Sequence, residues 1–155
     1  MPQYVLKYIL GRWGRGLVYT SSYIYIRPTL EYAAPAWHSS LTTAQSARLE
    51  RLQRRACRII LGTQYTDYTS ALTSLNLRSL AERRTNLCLS FAKKLFKSEL
   101  RDWLPPLRSQ ISGRLTRNAN KLDTPICRTN RHKNSAIPFL TELLNNSEWP
   151  SKQSP

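Results

Sequence analysis

The chain has 155 residues and is 41% hydrophobic, so it can bury one modest core. Lys and Arg number 24 against 9 Asp and Glu, which gives a formal net charge of +15 at pH 7. Because this charge repels itself in a compact fold unless a polyanion neutralises it, RNA or DNA is the predicted partner, and the absence of any run of roughly 20 apolar residues argues against a membrane.

The beginning of the chain predicts little regular structure before residue 17. Residues 1–16 mix basic and apolar side chains without a signal-peptide cleavage pattern, and they form a poorly defined N-terminal segment. Residues 17–26 predict a helix, although the YIYI run at 23–26 would also suit a strand. A second short helix is expected after Pro28, since proline is tolerated in the first turn of a helix.

The clearest predicted helix begins at Thr42 or Thr43, which can cap it, and ends before Gly62, which can form a left-handed C-terminal turn. Apolar residues recur along it at helical spacing and predict one buried face. These residues are Leu49, Leu52, Ala56, Ile59 and Ile60. Arginines occupy an arc of about 120° beside and opposite that face. They are Arg48, Arg51, Arg54, Arg55 and Arg58.

The arginine arc has two interpretations. It can be an ordinary solvated surface, but such surfaces usually mix charges, and only Glu50 interrupts the five arginines. The second interpretation is phosphate contact, which the planar guanidinium suits because it can hold two phosphate oxygens at once. We predict phosphate contact, with Tyr65, Tyr68 and Trp103 as candidates for stacking on bases.

Two further helices are predicted downstream. A short one follows Asp67 and extends to Leu75, and a longer one begins at the capping pair Ser79 and Glu82 and extends to about Lys97. The predicted buried face of the longer helix consists of Leu80, Leu87, Cys88, Phe91 and Leu95. Its basic residues Arg83 and Arg84 are predicted to lie elsewhere on its surface and to contact nucleic acid.

The proline pair at 105–106 marks the end of the packed part, so 17–107 is the predicted helical domain and 108–155 a basic extension. From 108 to 135 the chain has seven Lys or Arg, with Asp123 as the one acid. Such a segment is expected to be extended or to order on binding, apart from one short helix at 137–144. Its predicted nucleic-acid contacts are Arg114, Arg117, Arg128, Arg131 and Lys133.

Metal and nucleophile motifs are weak. His38, His132 and Cys127 lack the short paired spacing of a closed zinc site, and no hydrolase motif is present. Cys57, Cys88 and Cys127 are far apart and do not suggest a disulfide framework. A reducing, intracellular compartment, nucleus or cytoplasm, is therefore expected, with no cofactor and no small-molecule substrate.

Residues 25–62 read YIRPTLEYAAPAWHSSLTTAQSARLERLQRRACRIILG. The pattern is carried by Ile26, Arg27, Pro28, Leu30, Glu31, Tyr32, Ala33, Pro35 and Trp37, then by Leu49, Glu50, Gln53, Arg55, Ala56, Arg58, Ile59, Ile60 and Gly62. It resembles the segment immediately after the polymerase core in jockey-like and CR1-like non-LTR retrotransposon reverse transcriptases. Residues 75–97 and 127–145 are similar to the downstream segments of those elements, whereas 1–16 are not.

The resemblance implies the thumb and post-thumb region of an RNA-directed DNA polymerase, whose helices hold the template and primer. In that family the catalytic aspartates and their Mg²⁺ ions belong to an upstream palm. This chain has no adjacent pair of acids, and its nine carboxylates are scattered from Glu31 to Glu148. By itself it is expected to have no polymerase activity, and the missing palm would be a partner.

The predicted fold is an all-α, small helical bundle, thumb-like by resemblance, with a basic and partly extended C-terminal segment. Three alternatives remain open at this point. The chain can be an inactive retroelement remnant, an independent basic module that binds DNA or RNA, or a protein-interaction module that docks through apolar surfaces at Trp37 and Leu49.

Overall fold

A computed structural model describes residues 27–113 and 117–147 of the chain. In these ranges the chain is mostly helical and contains no strand, only an isolated antiparallel bridge between Leu107 and Leu122. The predicted all-α class is therefore confirmed. The helix predicted at 17–26 lies outside the described residues.

The described helices succeed one another in a simple order. They are α1 (Arg27–Glu31), α2 (Ala34–Trp37), α3 (Thr43–Leu61), α4 (Tyr68–Ser74), α5 (Leu80–Lys97), α6 (Arg108–Ser112), α7 (Asn130–Lys133) and α8 (Ala136–Asn146). Short 3₁₀ segments come after α2, α3 and α5.

The chain divides into two compact units. Of the described residues, the first unit contains 27–32 and 42–83, and the second contains 33–41, 84–113 and 117–147. The division falls inside α5 and does not coincide with the predicted boundary at 107/108. The predicted extension therefore belongs to the second unit as far as it is described.

The ends of α3 are set by local hydrogen bonds. The Thr42 hydroxyl accepts from the Gln45 backbone N–H at 3.2 Å, and the Gln45 side chain accepts from the Thr42 N–H at 2.9 Å, so both residues satisfy donors that the first turn leaves free. At the other end Gly62 has a φ of 56°, which glycine adopts without a side-chain clash. Both predicted bounds are confirmed.

The buried face of α3 differs from the prediction. Its buried residues are Gln53 and Cys57, whereas Leu52, a residue of the predicted core face, is exposed. Leu52 lies about 100° around the helix from Gln53, between the buried stripe and the arginines. Gln53 is accommodated because its side-chain amide donates to the Arg78 carbonyl at 2.9 Å, and Arg27 donates to the same carbonyl at 3.4 Å.

Helices α4 and α5 begin where the sequence predicts. The Asp67 carboxylate caps α4 by accepting from the N–H groups of Thr69 and Ser70, and hydrogen bonds from Ser70 and Thr69 lower the pKa of Asp67 to about 2. The Ser79 hydroxyl accepts from the Glu82 N–H at 3.2 Å at the start of α5.

The buried face of α5 is only partly as predicted. Leu80, Cys88 and Leu95 are buried, but Leu87 and Phe91 are exposed. The fully buried positions recur every four residues and consist of Leu80, Arg84, Cys88 and Ala92. Leu87 and Phe91 each precede one of these positions, so a rotation of about 100° turns them away from it.

The second unit has an apolar core to which the predicted extension contributes. Its buried members are Cys88, Ala92, Leu95, Leu104, Leu122, Leu140 and Leu144. Helix α8 confirms the short helix predicted at 137–144, and its Asn145 side chain holds the backbone of Leu122, accepting from its N–H at 2.9 Å and donating to its carbonyl at 3.0 Å. The stretch 108–135, expected to be extended or to order on binding, contains the short helices α6 and α7 in its described part and is otherwise not helical, and its Leu122 is buried in the core of the second unit.

A histidine inside the second unit makes its stability sensitive to pH. Arg84 Nε donates to His38 Nδ1 at 3.4 Å, which places the ring proton on Nε2, 3.2 Å from the Thr85 hydroxyl. Phe139 packs edge-on against the ring at 5.7 Å. Burial and the neighbouring Arg84 charge lower the pKa of His38 below its ordinary value.

We expect the free energy of unfolding to fall as the pH drops below about 6.5, because the unfolded histidine then takes up a proton that folded His38 resists. Denaturant titrations at pH values on both sides of about 6.5 measure this effect. The substitution His38→Gln should flatten that part of the profile, and the matched change at exposed His132 should not. Equal profiles for both variants would remove His38 as the source.

Candidate nucleic-acid interface

The structure exposes the whole arginine arc of α3, here called the arginine face. Its members are Arg48, Arg51, Arg54, Arg55 and Arg58. Among the described residues, ion pairs join Arg78 to Glu82, Arg83 to Glu31 and Arg108 to Asp123, so no member of the arginine face takes part in one. All five side chains are exposed, and none of them forms an ion pair with another described residue.

Glu50, the only acid on α3, does not neutralise the arginine face because it points into the first unit. Its carboxylate accepts a short hydrogen bond from the Tyr68 hydroxyl and a second from the Leu80 N–H at 3.1 Å. Burial and the Glu50 hydrogen bond raise the pKa of Tyr68. On the helical wheel Glu50 lies about 60° from Gln53 but only about 40° from Arg54, so helical spacing alone does not place its side chain on the buried side.

Two members of the arginine face lie over tyrosine rings. The Arg54 guanidinium is 5.0 Å from the centre of the Tyr68 ring, and that of Arg58 is 5.2 Å from the centre of Tyr65. Such contacts are attractive and restrict the arginine side chain before any ligand arrives. Tyr65 and Tyr68 lie under these arginines and Trp103 is exposed; stacking on bases stays a prediction for all three.

The arginine face has a length suited to a nucleic-acid backbone. Ten residues separate Arg48 from Arg58, which corresponds to about 15 Å along the helix axis. Duplex DNA rises by about 3.4 Å per base pair, so the face spans roughly four steps. Phosphates recur within that distance, and several arginines can contact them together.

Two predicted contact residues are corrected. Arg83 makes a bidentate ion pair with Glu31, with nitrogen to oxygen distances of 2.6 Å and 2.8 Å, so its charge is already matched within the first unit. Arg84 is fully buried in the second unit, where its guanidinium lies over Trp37 at 5.9 Å and donates to His38. A phosphate cannot reach it there. Trp37 and Leu49, the residues of the predicted docking surfaces, are each half-buried.

The second unit carries its own basic surface. Its predicted contact residues Arg117, Arg128, Arg131 and Lys133 are all exposed, and none forms an ion pair with another described residue. The nearby carboxylate of Asp123 lies 3.9 Å from Arg108. Arg114, the remaining predicted contact, lies outside the described residues.

Metal-ligating side chains do not converge in the parts of the chain that the structure describes. No three His, Cys, Asp or Glu residues within 27–113 and 117–147 are grouped so that they could hold an ion. Cys57 and Cys88 are buried, and burial raises the pKa of both thiols, that of Cys88 to about 11. His38 is enclosed with Arg84 and Phe139, apart from any carboxylate ligand set.

Comparison with known proteins does not assign the chain to a family. No protein-family model matches it, and neither the curated proteins nor the solved structures give a significant match. Among the described helices, none is long and apolar enough to cross a membrane. The resemblance to a reverse transcriptase stays a prediction.

Proposed function

We propose that the chain binds RNA or DNA through backbone phosphates. It would do so as the thumb and post-thumb part of a retrotransposon-type RNA-directed DNA polymerase, a part that does not contain the catalytic aspartates of the palm. The observation that carries the binding proposal is the arginine face. Five arginines are exposed along one helix, and the single acid of that helix is engaged in the interior of the first unit.

The charge arrangement favours phosphate binding over a solvated surface. On a solvated helix face, carboxylates at neighbouring turns commonly balance the positive charges. Here the one carboxylate of the helix, that of Glu50, is hydrogen-bonded to Tyr68 and Leu80 instead. The chain as a whole has a net charge of +15. Arg54 and Arg58 are already held over tyrosine rings, so they lose less freedom when a phosphate binds. The polymerase origin rests on the motif in residues 25–62.

The test is the double substitution Arg51→Gln with Arg55→Gln. Glutamine keeps the helix propensity but removes two charges, and we expect affinity for a duplex to fall about tenfold. The loss should be similar for unrelated sequences because phosphate contacts carry no sequence information. Fluorescence anisotropy with labelled duplexes measures both effects.

The matched control removes the same net charge elsewhere, by Lys94→Gln with Lys97→Gln at the end of α5. That variant leaves all five arginines of the arginine face in place and should keep affinity within about twofold, since only charges that contact phosphates release counterions. If both double variants lost affinity equally, only the net charge would matter, and the assignment of the arginine face would be wrong.

A further inference from the structure

Ile126 is an apolar side chain displayed to solvent in the second unit. It is 90% exposed, the highest value among the exposed large hydrophobic residues of the described chain. It comes directly after Pro125 in a stretch without regular secondary structure, between Leu122 and the start of α7. A β-branched aliphatic residue in this position gains nothing from the unit's own core.

Hydrogen bonds to other parts of the second unit hold the backbone that precedes Ile126. Before it, Asn145 holds Leu122 through two hydrogen bonds, and the Asp123 N–H donates to the Pro106 carbonyl at 2.9 Å. After it, the Thr129 hydroxyl caps α7 by accepting from the His132 N–H at 3.2 Å. Ile126 lies between this anchored stretch and the start of α7, and its side chain is outside the core.

The loop is surrounded in the chain by cations. Lys121 precedes it, and Arg128, Arg131 and Lys133 come after it, all exposed and without an ion pair among the described residues. The local acid, Asp123, lies beside Arg108. An apolar tip between basic residues matches a ligand with an anionic exterior and an apolar interior, as a stacked nucleic-acid duplex has.

We propose that Ile126 is a wedge that enters between stacked base pairs of duplex DNA while the flanking cations contact the phosphates, a proposal that rests on the nucleic-acid function above. Proteins that bend DNA insert aliphatic residues between base steps from the minor groove in this manner. A single strand is a poorer fit, because stacking on unpaired bases relies on aromatic side chains. Duplex binding by this loop would be accompanied by local unstacking.

The experiment uses the full chain and a short A·T-rich DNA duplex that carries 2-aminopurine, whose fluorescence rises when a base unstacks. We expect saturating protein to raise the fluorescence. Ile126→Ser should abolish the fluorescence rise and weaken binding about tenfold, because a small polar group would replace the isoleucine that the base stack buries in the complex. Ile126→Leu should retain both properties, and Ile111→Ser, at a 59% exposed position on α6, should behave as the wild type.

The outcomes separate this inference from the proposed function. If the duplex bound with the affinity loss expected for the Arg51 and Arg55 variant, yet fluorescence did not rise and Ile126→Ser bound normally, the wedge would be rejected and phosphate binding would stand. If an RNA duplex bound but the DNA duplex did not, the wedge alone would fail, and if neither bound, both proposals would fail. If Ile126→Ser lost binding only to phosphatidylserine vesicles, Ile126 would contact a membrane surface, which also overturns the proposal.

Discussion

Leu140→Ala is expected to lower the free energy of unfolding by about 2–5 kcal/mol. Leu140 is 1% exposed and lies in the core of the second unit with Leu95, Leu104 and Leu144, so the truncation removes buried apolar surface and leaves a cavity. Equilibrium denaturation in urea, followed by far-ultraviolet circular dichroism, measures the loss through the shift in midpoint at constant slope.

The control is Leu100→Ala, a change of the same atoms at a position that is 50% exposed. It should cost below about 1 kcal/mol, because most of the deleted surface already contacts water. Equal, small effects for the two variants would mean that α8 is not packed in the free protein. The interpretation of 108–155 as an extension that orders only on binding would then return.

Glu50→Ala is expected to destabilise the first unit by on the order of 2–4 kcal/mol, because two donors lose their acceptor at once. The Tyr68 hydroxyl and the Leu80 N–H both donate to this carboxylate. Each buried donor left without an acceptor costs about 1–3 kcal/mol. Thermal denaturation of the purified variant, followed at a wavelength sensitive to helix, measures the change.

Two variants sharpen this result. Glu50→Gln keeps a side-chain carbonyl oxygen as acceptor and should recover part of the loss. Glu82→Ala removes an exposed acid whose oxygen lies 3.7 Å from Arg78, and it should cost less than about 1 kcal/mol. A loss for Glu50→Ala no larger than that for Glu82→Ala would show that the carboxylate is not an interior acceptor.

Helix bounds were predictable from the sequence because the signals that set them are local. Thr42, Gly62, Asp67 and Ser79 each act within a few residues of themselves, and each does in the structure what its residue type suggests. The same holds for the exposure of the arginine face. Its residues share one side of a helix whose opposite side contains Gln53 and Cys57.

Partners that are distant in the chain could not be predicted in this way. Arg83 and Glu31 are separated by 52 residues, and Arg84 is enclosed by His38 and Trp37. Basic residues on a helix of mixed character look alike in sequence, whether they face solvent, an acid or an aromatic ring. Only tertiary packing separates them.

The packing of the basic extension into the core was not predictable because its own apolar content is low. Leu122, Leu140 and Leu144 are few, but they pack against leucines that the rest of the second unit supplies, including Leu95 and Leu104. The composition of a segment does not include the residues from elsewhere in the chain that pack against it. The sequence of the extension alone therefore does not show the leucines, such as Leu95 and Leu104, against which it packs.

The measurement that tests the central claim most directly is the salt dependence of duplex binding by the wild type and the Arg51→Gln, Arg55→Gln variant. Each phosphate neutralised contributes about −0.9 to the slope of log affinity against log salt, so five contacts at the arginine face contribute about −4.5. We expect the slope of the double variant to be less negative than that of the wild type by about 1.8. Parallel slopes for the two proteins would contradict it, because Arg51 and Arg55 would then release no counterions.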